Sequence, residues 1–154
     1  MTLLLVGSGG LDIHNCEAEL KAYISANSLQ DSVHFAGDVR NVHEYLQASD
    51  IFVFPTENEA FGISLIEAMA CGLPIISTAI GGIKDIIQHR HNGLVVQPGN
   101  FQQLHDALDT IITDTTLATC LGRAAWQTVL DRYSTETVTP KYVELFTKVI
   151  QAGY

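Results

Sequence analysis

The stretch IFVFPTENEAFGISLIEAMACGLPIIS, residues 51–77, contains the pattern that decides the fold. It opens with a short apolar run that ends at Pro55, continues through a polar loop, and becomes a nearly all-apolar run from Gly62 to Ala70. Gly72 suits the position just past a helix C-terminus, and a second apolar run covers Pro74–Ser77. We therefore predict a strand, a helix and a second strand, which is the repeat of a parallel α/β sheet.

Outward from this unit, short apolar runs alternate with stretches of helical spacing along the whole chain. The predicted strands are Leu3–Val6, Val33–Ala36, Ile51–Phe54, Pro74–Ser77 and Gly93–Val96. This alternation predicts the α/β class: a single domain, residues 1–154, built on a Rossmann-like doubly wound parallel sheet of about five strands with helices on both faces. The order 2-1-3-4-5 fits, and such sheets bind ligands beyond the carboxyl ends of the strands, where the order reverses.

Polar residues suited to capping precede several predicted helices: Asn15, Asn41 with Glu44, and Asn100 with Gln103. The last helix has two candidate starts. Either Ser134 is its N-cap, or Thr139 is, with Pro140 at the first helical position. We predict the second start, because it avoids a proline inside the helix.

The composition restricts the class of protein. Apolar residues make up 47% of the chain and charged residues 16%, which suits a compact α/β protein and excludes a disordered one. The net charge is −9 and the eight Lys and Arg residues are scattered, which argues against nucleic acid as a partner. Contact with an anionic membrane is not expected, since no basic amphipathic helix is present. A small phosphorylated ligand is still compatible, provided that backbone amides bind it.

The three cysteines, Cys16, Cys71 and Cys120, have neither metal-ligand nor redox spacing. We expect three buried, reduced thiols and a reducing compartment. No basic segment or long apolar run marks a signal peptide or a membrane span, so the expected location is the cytoplasm.

The predicted helix start at Phe61–Gly62 is a candidate anion site, because free amides and the positive end of the helix dipole meet there. Gly62 leaves room for a ligand, and we expect ordinary backbone angles with ligand approach as the reason for the glycine; the alternative is that the fold needs a positive φ there, or close packing against the strand that ends at Phe54. Glu67 lies in an otherwise apolar helix, so its carboxylate either binds sugar or ribose hydroxyls, pairs with a lysine, or lies on an exposed polar stripe. Glu59 lies in a polar loop and is either functional or simply solvated.

Residues 55–74 resemble the Glu-x7-Glu motif of the retaining glycosyltransferases of family 4, which have the GT-B fold. Glu59 and Glu67 match its two glutamates, with seven residues between them. Further segments resemble successive landmarks of the family in the same order, and together they cover nearly the whole chain: 3–9, 33–37, 48–55, 81–87, 92–100 and 132–134.

The resemblance implies roles for individual residues. Glu67 corresponds to the residue that holds the donor ribose, and Glu59 to the one that contacts the donor sugar. The amides that approach sugar and diphosphate correspond to Phe61, Gly62, Ile63, Ser64 and Leu65. The loop beside the base corresponds to Gly37, Asp38, Val39 and Arg40, although Arg40 also fits a solvated surface arginine.

The resemblance further implies transfer of a hexose from a UDP-, GDP- or ADP-sugar to an acceptor hydroxyl with retention at the anomeric carbon. No cofactor and no metal are expected; the pair His89 and His91 lies in a turn and lacks a third ligand of suitable spacing. The family also has an N-terminal acceptor domain, and a strand and helix that supply an Arg and a Lys for the diphosphate. Neither matches any part of this sequence, so the chain is interpreted as a truncated gene, an excised piece or half of a split enzyme.

Because that strand is central in the family, the remaining strands are expected to close up into one sheet, or a second copy to fill the gap. Two other functions stay open beside the transferase. One is a non-catalytic module that binds a nucleotide or a protein. The other is a dinucleotide oxidoreductase, which is suggested by Gly7, Gly9 and Gly10 alone. This suggestion is weak, because the dinucleotide-binding fingerprint Gly-x-Gly-x-x-Gly requires a glycine where this chain has Asp12.

Overall fold

The computed structural model describes residues 1–8 and 16–152. The chain forms two compact units, Met1–Val42 and His43–Tyr154, and each is described by itself. Asn15, Gly9 and Gly10, which the sequence singles out, lie outside the described residues. Among the described helices, none is long and apolar enough to cross a membrane.

The first unit contains a parallel strand pair and a helix: β1 (Leu3–Val6), α1 (Glu17–Ala26) and β2 (Val33–Gly37). Leu3 lies opposite Val33, and the register shifts between Leu5 and Val6. Although β1 is wholly apolar, Leu3, Leu4 and Val6 are exposed.

The second unit is a three-stranded parallel sheet with helices packed on it. Its strands are β3 (Phe52–Phe54), β4 (Ile75–Thr78) and β5 (Leu94–Val96). Its helices are α2 (Val42–Gln47, which begins at the unit boundary), α3 (Ile63–Ala70), α4 (Phe101–Thr113), α5 (Thr115–Arg132) and α6 (Thr135–Gln151), with a 3₁₀ helix at Gly81–Asp85. The middle strand, β4, is buried along its whole length, as expected for a parallel strand covered on both faces.

The predicted α/β class, with parallel strands and helices packed on them, is confirmed. Within the described residues β1 pairs with β2 in the first unit, and the order is β3-β4-β5 in the second, as the predicted order 2-1-3-4-5 has these neighbours. An apolar run identifies a strand because the burial of a strand depends on that strand's own residues. Which strand lies beside which depends on hydrogen bonds between distant segments, and a run of apolar residues carries no information about these bonds.

The predicted start of the last helix, with Thr139 as N-cap, is wrong. Helix α6 begins after Ser134, whose hydroxyl accepts the Thr137 amide, and Pro140 lies inside the helix. The hydroxyls of Ser134 and Thr137 both donate to the carbonyl oxygen of Leu130. These bonds across the end of α5 fix the N-cap six residues before the proline, and they outweigh its missing N–H.

Other local predictions have mixed outcomes. Asn100 caps α4 as predicted, accepting the Gln103 amide. Gly72 follows the C-terminus of α3 with a φ of +73°, as its predicted position requires.

The expectation of three buried thiols is wrong, because Cys16 and Cys120 are exposed and Cys71 is half-buried. Both exposed cysteines lie on outward positions at or in a helix, which residue type alone does not reveal.

Candidate functional site

The loop after β3 is held in place by the last two residues of β4. Both are hydroxyl residues, and both are fully buried. The Ser77 hydroxyl donates to the carbonyl oxygen of Phe54 at 2.9 Å, and the Thr78 hydroxyl donates to that of Thr56 at 2.6 Å. The polar end of an otherwise apolar strand therefore anchors the first residues of the motif loop, a role that sequence reasoning missed.

The carboxylate of Glu59 closes this loop onto the start of α3. Its Oε1 accepts the amide of Phe61 at 3.1 Å and the amide of Gly62 at 3.0 Å. A carboxylate at a helix N-terminus is favoured by the free amides and by the helix dipole. Glu59 is half-buried rather than fully solvated, and two of the five amides predicted to meet a ligand already have an acceptor.

Gly62 is the N-cap of α3, with φ 96° and ψ 51°. The expectation of ordinary backbone angles is therefore wrong, since side-chain-bearing residues rarely adopt this left-handed region. This conformation turns the chain from the loop into α3 directly after the two amides that Glu59 accepts. Gly62 thus serves the fold of the site whether or not a ligand approaches it.

Three further amides remain at the beginning of α3. Ile63, Ser64 and Leu65 form its first turn, where an N–H has no acceptor within the helix. Leu65 is fully buried and anchors this turn in the core, whereas the side chain of Ile63 is 66% exposed. The helix start is therefore fixed on one side and open on the other.

Glu67 lies on the exposed side of α3, one turn beyond Ile63. The Glu67 side chain is exposed, and no lysine pairs with its carboxylate among the ion pairs of the described residues, so the choice between ribose binding and a solvated position stays open. Burial, and secondarily the charge of Glu67, raise the pKa of the Cys71 thiol one turn further along. The carboxylate is thus free to meet a ligand on the open side of the helix.

A pair of glycines in the turn after β4 packs directly on the motif loop. The Gly82 amide donates to the carbonyl oxygen of Ala60 at 3.2 Å. A Cβ added to Gly81 would overlap the carbonyl oxygen of Glu59, and one added to Gly82 would lie 2.6 Å from that of Ala60. The sequence marks these glycines as a landmark, but only the structure shows what lies against them.

In the first unit, the predicted base-binding loop follows β2. Gly37 has a φ of +67° and its carbonyl oxygen accepts the Gly7 amide at 2.8 Å, which joins the ends of the two strands. Asp38 accepts a hydrogen bond from the Ser8 hydroxyl at 2.9 Å. Val39 is half-buried, and Arg40 is exposed. The loop therefore presents a fixed main chain with an exposed arginine beside it.

No metal centre is evident in the part of the chain that the structure describes. No group of three or more potential ligands is brought together there. His89, one of the two histidines considered above, uses Nδ1 to accept the Val95 amide at 3.0 Å. The expectation that no metal is needed stays a prediction.

Comparison with known proteins identifies the family and several relatives of this chain. The family model described as "Glycosyl transferases group 1" matches residues 1–128. N-acetyl-alpha-D-glucosaminyl L-malate synthase from Bacillus anthracis is 33% identical over 123 residues, which cover 80% of this chain and 32% of that protein. The chain spans about a third of the length of the curated relatives it matches.

Solved structures agree in fold over nearly the whole chain. Sucrose-phosphate synthase from Thermosynechococcus elongatus superposes with a TM-score of 0.87 at 29% identity, covering 99% of this chain and 39% of that one. The Anabaena protein Alr3699/HepE gives 0.87 at 27% identity, covering 96% of this chain and 41% of that one. It has been solved in complex with UDP and with UDP-glucose.

Proposed function

We propose that this chain, which belongs to the glycosyl transferases group 1 family, is the donor-binding part of a retaining hexosyltransferase. The donor is a nucleoside-diphosphate sugar, and a UDP-hexose is the first to test, because a similar protein has been solved with UDP-glucose. An acceptor-binding domain completes the enzyme. The observation that carries the proposal is that α3 presents open first-turn amides between Glu59 and the exposed Glu67.

The diphosphate is received at the start of α3. The amides of Ile63 and Ser64 lie in the first turn, have no acceptor within the helix and belong to residues that are not buried, and the helix dipole adds a positive potential. The third amide predicted to meet the ligand, that of Leu65, belongs to a fully buried residue. These fixed dipoles stabilise the charge that develops on the departing diphosphate. Because the amides of Phe61 and Gly62 already donate to Glu59, we assign them to positioning that carboxylate rather than to the phosphate itself.

The two glutamates act at the two ends of the donor. Glu67 holds the ribose hydroxyls, for which an exposed carboxylate without an ion-pair partner is suited. Glu59 contacts the sugar: its Oε1 is fixed by two amides, and its other oxygen remains to accept a hydroxyl. The loop Gly37–Arg40 contacts the base.

We further propose that the reaction uses no metal, and that the enzyme works in the cytoplasm. The first part is supported by the helix start, which itself offers charge stabilisation to a leaving diphosphate. The second is supported by two exposed cysteines, Cys16 and Cys120, which stay reduced in a reducing compartment.

Calorimetric titration of the chain with UDP, GDP and ADP, and then with the matching sugar nucleotide, tests donor binding. Glu67→Ala is compared with Glu57→Ala, which removes an exposed carboxylate from the loop that precedes α3. Loss of a charge-assisted hydrogen bond corresponds to about 1.5–3 kcal/mol, so we expect about a tenfold to hundredfold weaker nucleotide binding in Glu67→Ala alone.

Equal affinities of the folded Glu67→Ala and Glu57→Ala chains would contradict the ribose role. Absence of binding to all three nucleotides would contradict the function as a whole. If nucleotide binds but no sugar is transferred after an acceptor domain is supplied, the alternative of a non-catalytic nucleotide-binding module is favoured.

A further inference from the structure

The turn after β4 leaves no space between itself and the main chain of the motif loop. Gly82 has an ordinary φ, so a side chain is excluded there by contact and not by backbone angle. Its added Cβ would lie 2.6 Å from the carbonyl oxygen of Ala60 and 2.9 Å from Cα of Phe61. At Gly81, both a φ of +48° and the carbonyl of Glu59 exclude a side chain.

These contacts involve the part of the loop that determines where the Glu59 carboxylate lies. Ala60 and Phe61 are the residues between Glu59 and Gly62, and the amides of Phe61 and Gly62 hold Oε1 of Glu59. Ile83, the next residue of the turn, is fully buried, and its Cγ1 lies 3.3 Å from the Cβ position of Gly62. The turn therefore supports the loop at each residue from Glu59 to Gly62.

A single added methyl group has a predictable effect. Ordinary contact begins at 3.4 Å, so an alanine at position 82 must move the Ala60 carbonyl or the turn by about 0.8 Å, the difference from 2.6 Å. The contacts are with main chain, which cannot rotate away as the end of a side chain can. A displacement near 1 Å in a positioned group can reduce its effect by about a hundredfold.

We propose that Gly81 and Gly82 are positioning residues for Glu59, and thereby determine how well the site binds the sugar part of the donor relative to the nucleotide part. This inference rests on the proposed role of Glu59 at the sugar. The turn acts through the Ala60–Phe61 main chain and through the two amides that hold the carboxylate. Glu67, the residue proposed to hold the ribose, lies one turn beyond the start of α3 and takes no part in these contacts.

The test is the ratio of the affinities for UDP-glucose and UDP in four chains: the unsubstituted one, Gly82→Ala, Glu59→Gln and Gly122→Ala. Gly122→Ala is the matched control, since its Cβ would overlap the carbonyl oxygen of Gly72, also main chain, at the packing of α5 on α3. We expect Gly82→Ala and Glu59→Gln to lower the ratio about tenfold, the effect of losing one charge-assisted hydrogen bond. Gly122→Ala should melt earlier and keep the ratio.

The outcomes separate the two claims. If Glu59→Gln lowers the ratio and Gly82→Ala does not, the positioning role is overturned while the proposed function stands. If Glu59→Gln leaves the ratio unchanged, the sugar role of Glu59 is itself wrong.

Amide NMR spectra provide a second measurement that needs no ligand. In Gly82→Ala the signals of Phe61 and Gly62 should shift and their hydrogen exchange should accelerate, whereas Gly122→Ala should leave both unchanged. Unchanged signals in a folded Gly82→Ala chain would overturn the inference. If Gly82→Ala does not fold, the same spectra of the unsubstituted chain test the proposal. UDP-glucose should then shift the amide signal of Gly82 more than UDP does, and equal shifts would overturn the proposal.

Discussion

Replacing Gly62 by alanine tests why a glycine stands at the start of α3. The residue has φ 96° and ψ 51°, and its Cβ would lie 3.3 Å from Cγ1 of Ile83 and 3.7 Å from Cβ of Leu65. Alanine at this position would therefore have two effects. The left-handed backbone angles would strain it, and its Cβ would lie slightly too close to the buried Ile83 side chain. The expected result is a loss of stability, even without ligand.

The magnitude follows from these two effects. The left-handed conformation costs an L-residue about 1–2 kcal/mol. A φ beyond the usual left-handed value favours the upper end of that range, and the Ile83 contact adds to it. The lower entropy of the unfolded alanine chain offsets about 0.4–1 kcal/mol. We expect a net loss of about 1–2 kcal/mol, or roughly 2–8 °C in melting temperature for a chain of this length.

Thermal unfolding followed by circular dichroism measures this loss, with Gly72→Ala as the control. Gly72 has a φ of +73° with nothing within 4 Å of its Cβ position, so it isolates the strain from the contact. Gly62→Ala should lose at least as much stability as Gly72→Ala, and Gly62→Val more, because a β-branched residue is a stronger outlier at positive φ. A Gly62→Ala chain that melts normally but no longer binds nucleotide would refute the reasoning and restore ligand approach as the reason for the glycine.

Three other predictions concern separate parts of the chain. Glu67→Gln should lower the pKa of the Cys71 thiol toward its ordinary value, because it removes a neighbouring negative charge. The thiol should then react faster with iodoacetamide near pH 8. Peptide mass spectrometry measures this rate, with the exposed thiols of Cys16 and Cys120 as internal references. Pro140→Ala should stabilise α6 by about 2 kcal/mol. An interior proline costs a helix roughly 3 kcal/mol, and about 1 kcal/mol is returned because proline makes the unfolded chain stiffer. Ser134→Ala removes the N-cap and should destabilise the helix by about 1 kcal/mol. Hydrogen exchange along α6 reports both, and no gain in Pro140→Ala would argue that the proline is not inside the helix. We also expect no detectable sugar transfer by this chain alone, because alignment of acceptor and donor supplies about 7–11 kcal/mol of the barrier; turnover of UDP-glucose onto a simple acceptor by the purified chain would contradict it.

The order of strands and helices could be predicted from the sequence because it depends on local patterns. Apolar runs such as Leu94–Val96 mark strands, and cap residues such as Asn100 mark helix starts. The spacing of Glu59 and Glu67 within their motif was enough to indicate the family, and the family match over residues 1–128 confirms it. These features are contained in neighbouring residues and do not depend on distant ones.

The tertiary structure decided everything that depends on segments meeting. It paired β1 with β2 and β4 with both β3 and β5, gave Gly62 its positive φ, and placed the carboxylate of Glu59 on two amides of its own loop. It also brought Gly82 against Ala60, twenty-two positions earlier in the chain. Sequence periodicity reports which side of an element is buried, but not which main-chain atoms press against it. The support of the candidate site is made of such main-chain contacts, and only the folded chain reveals them.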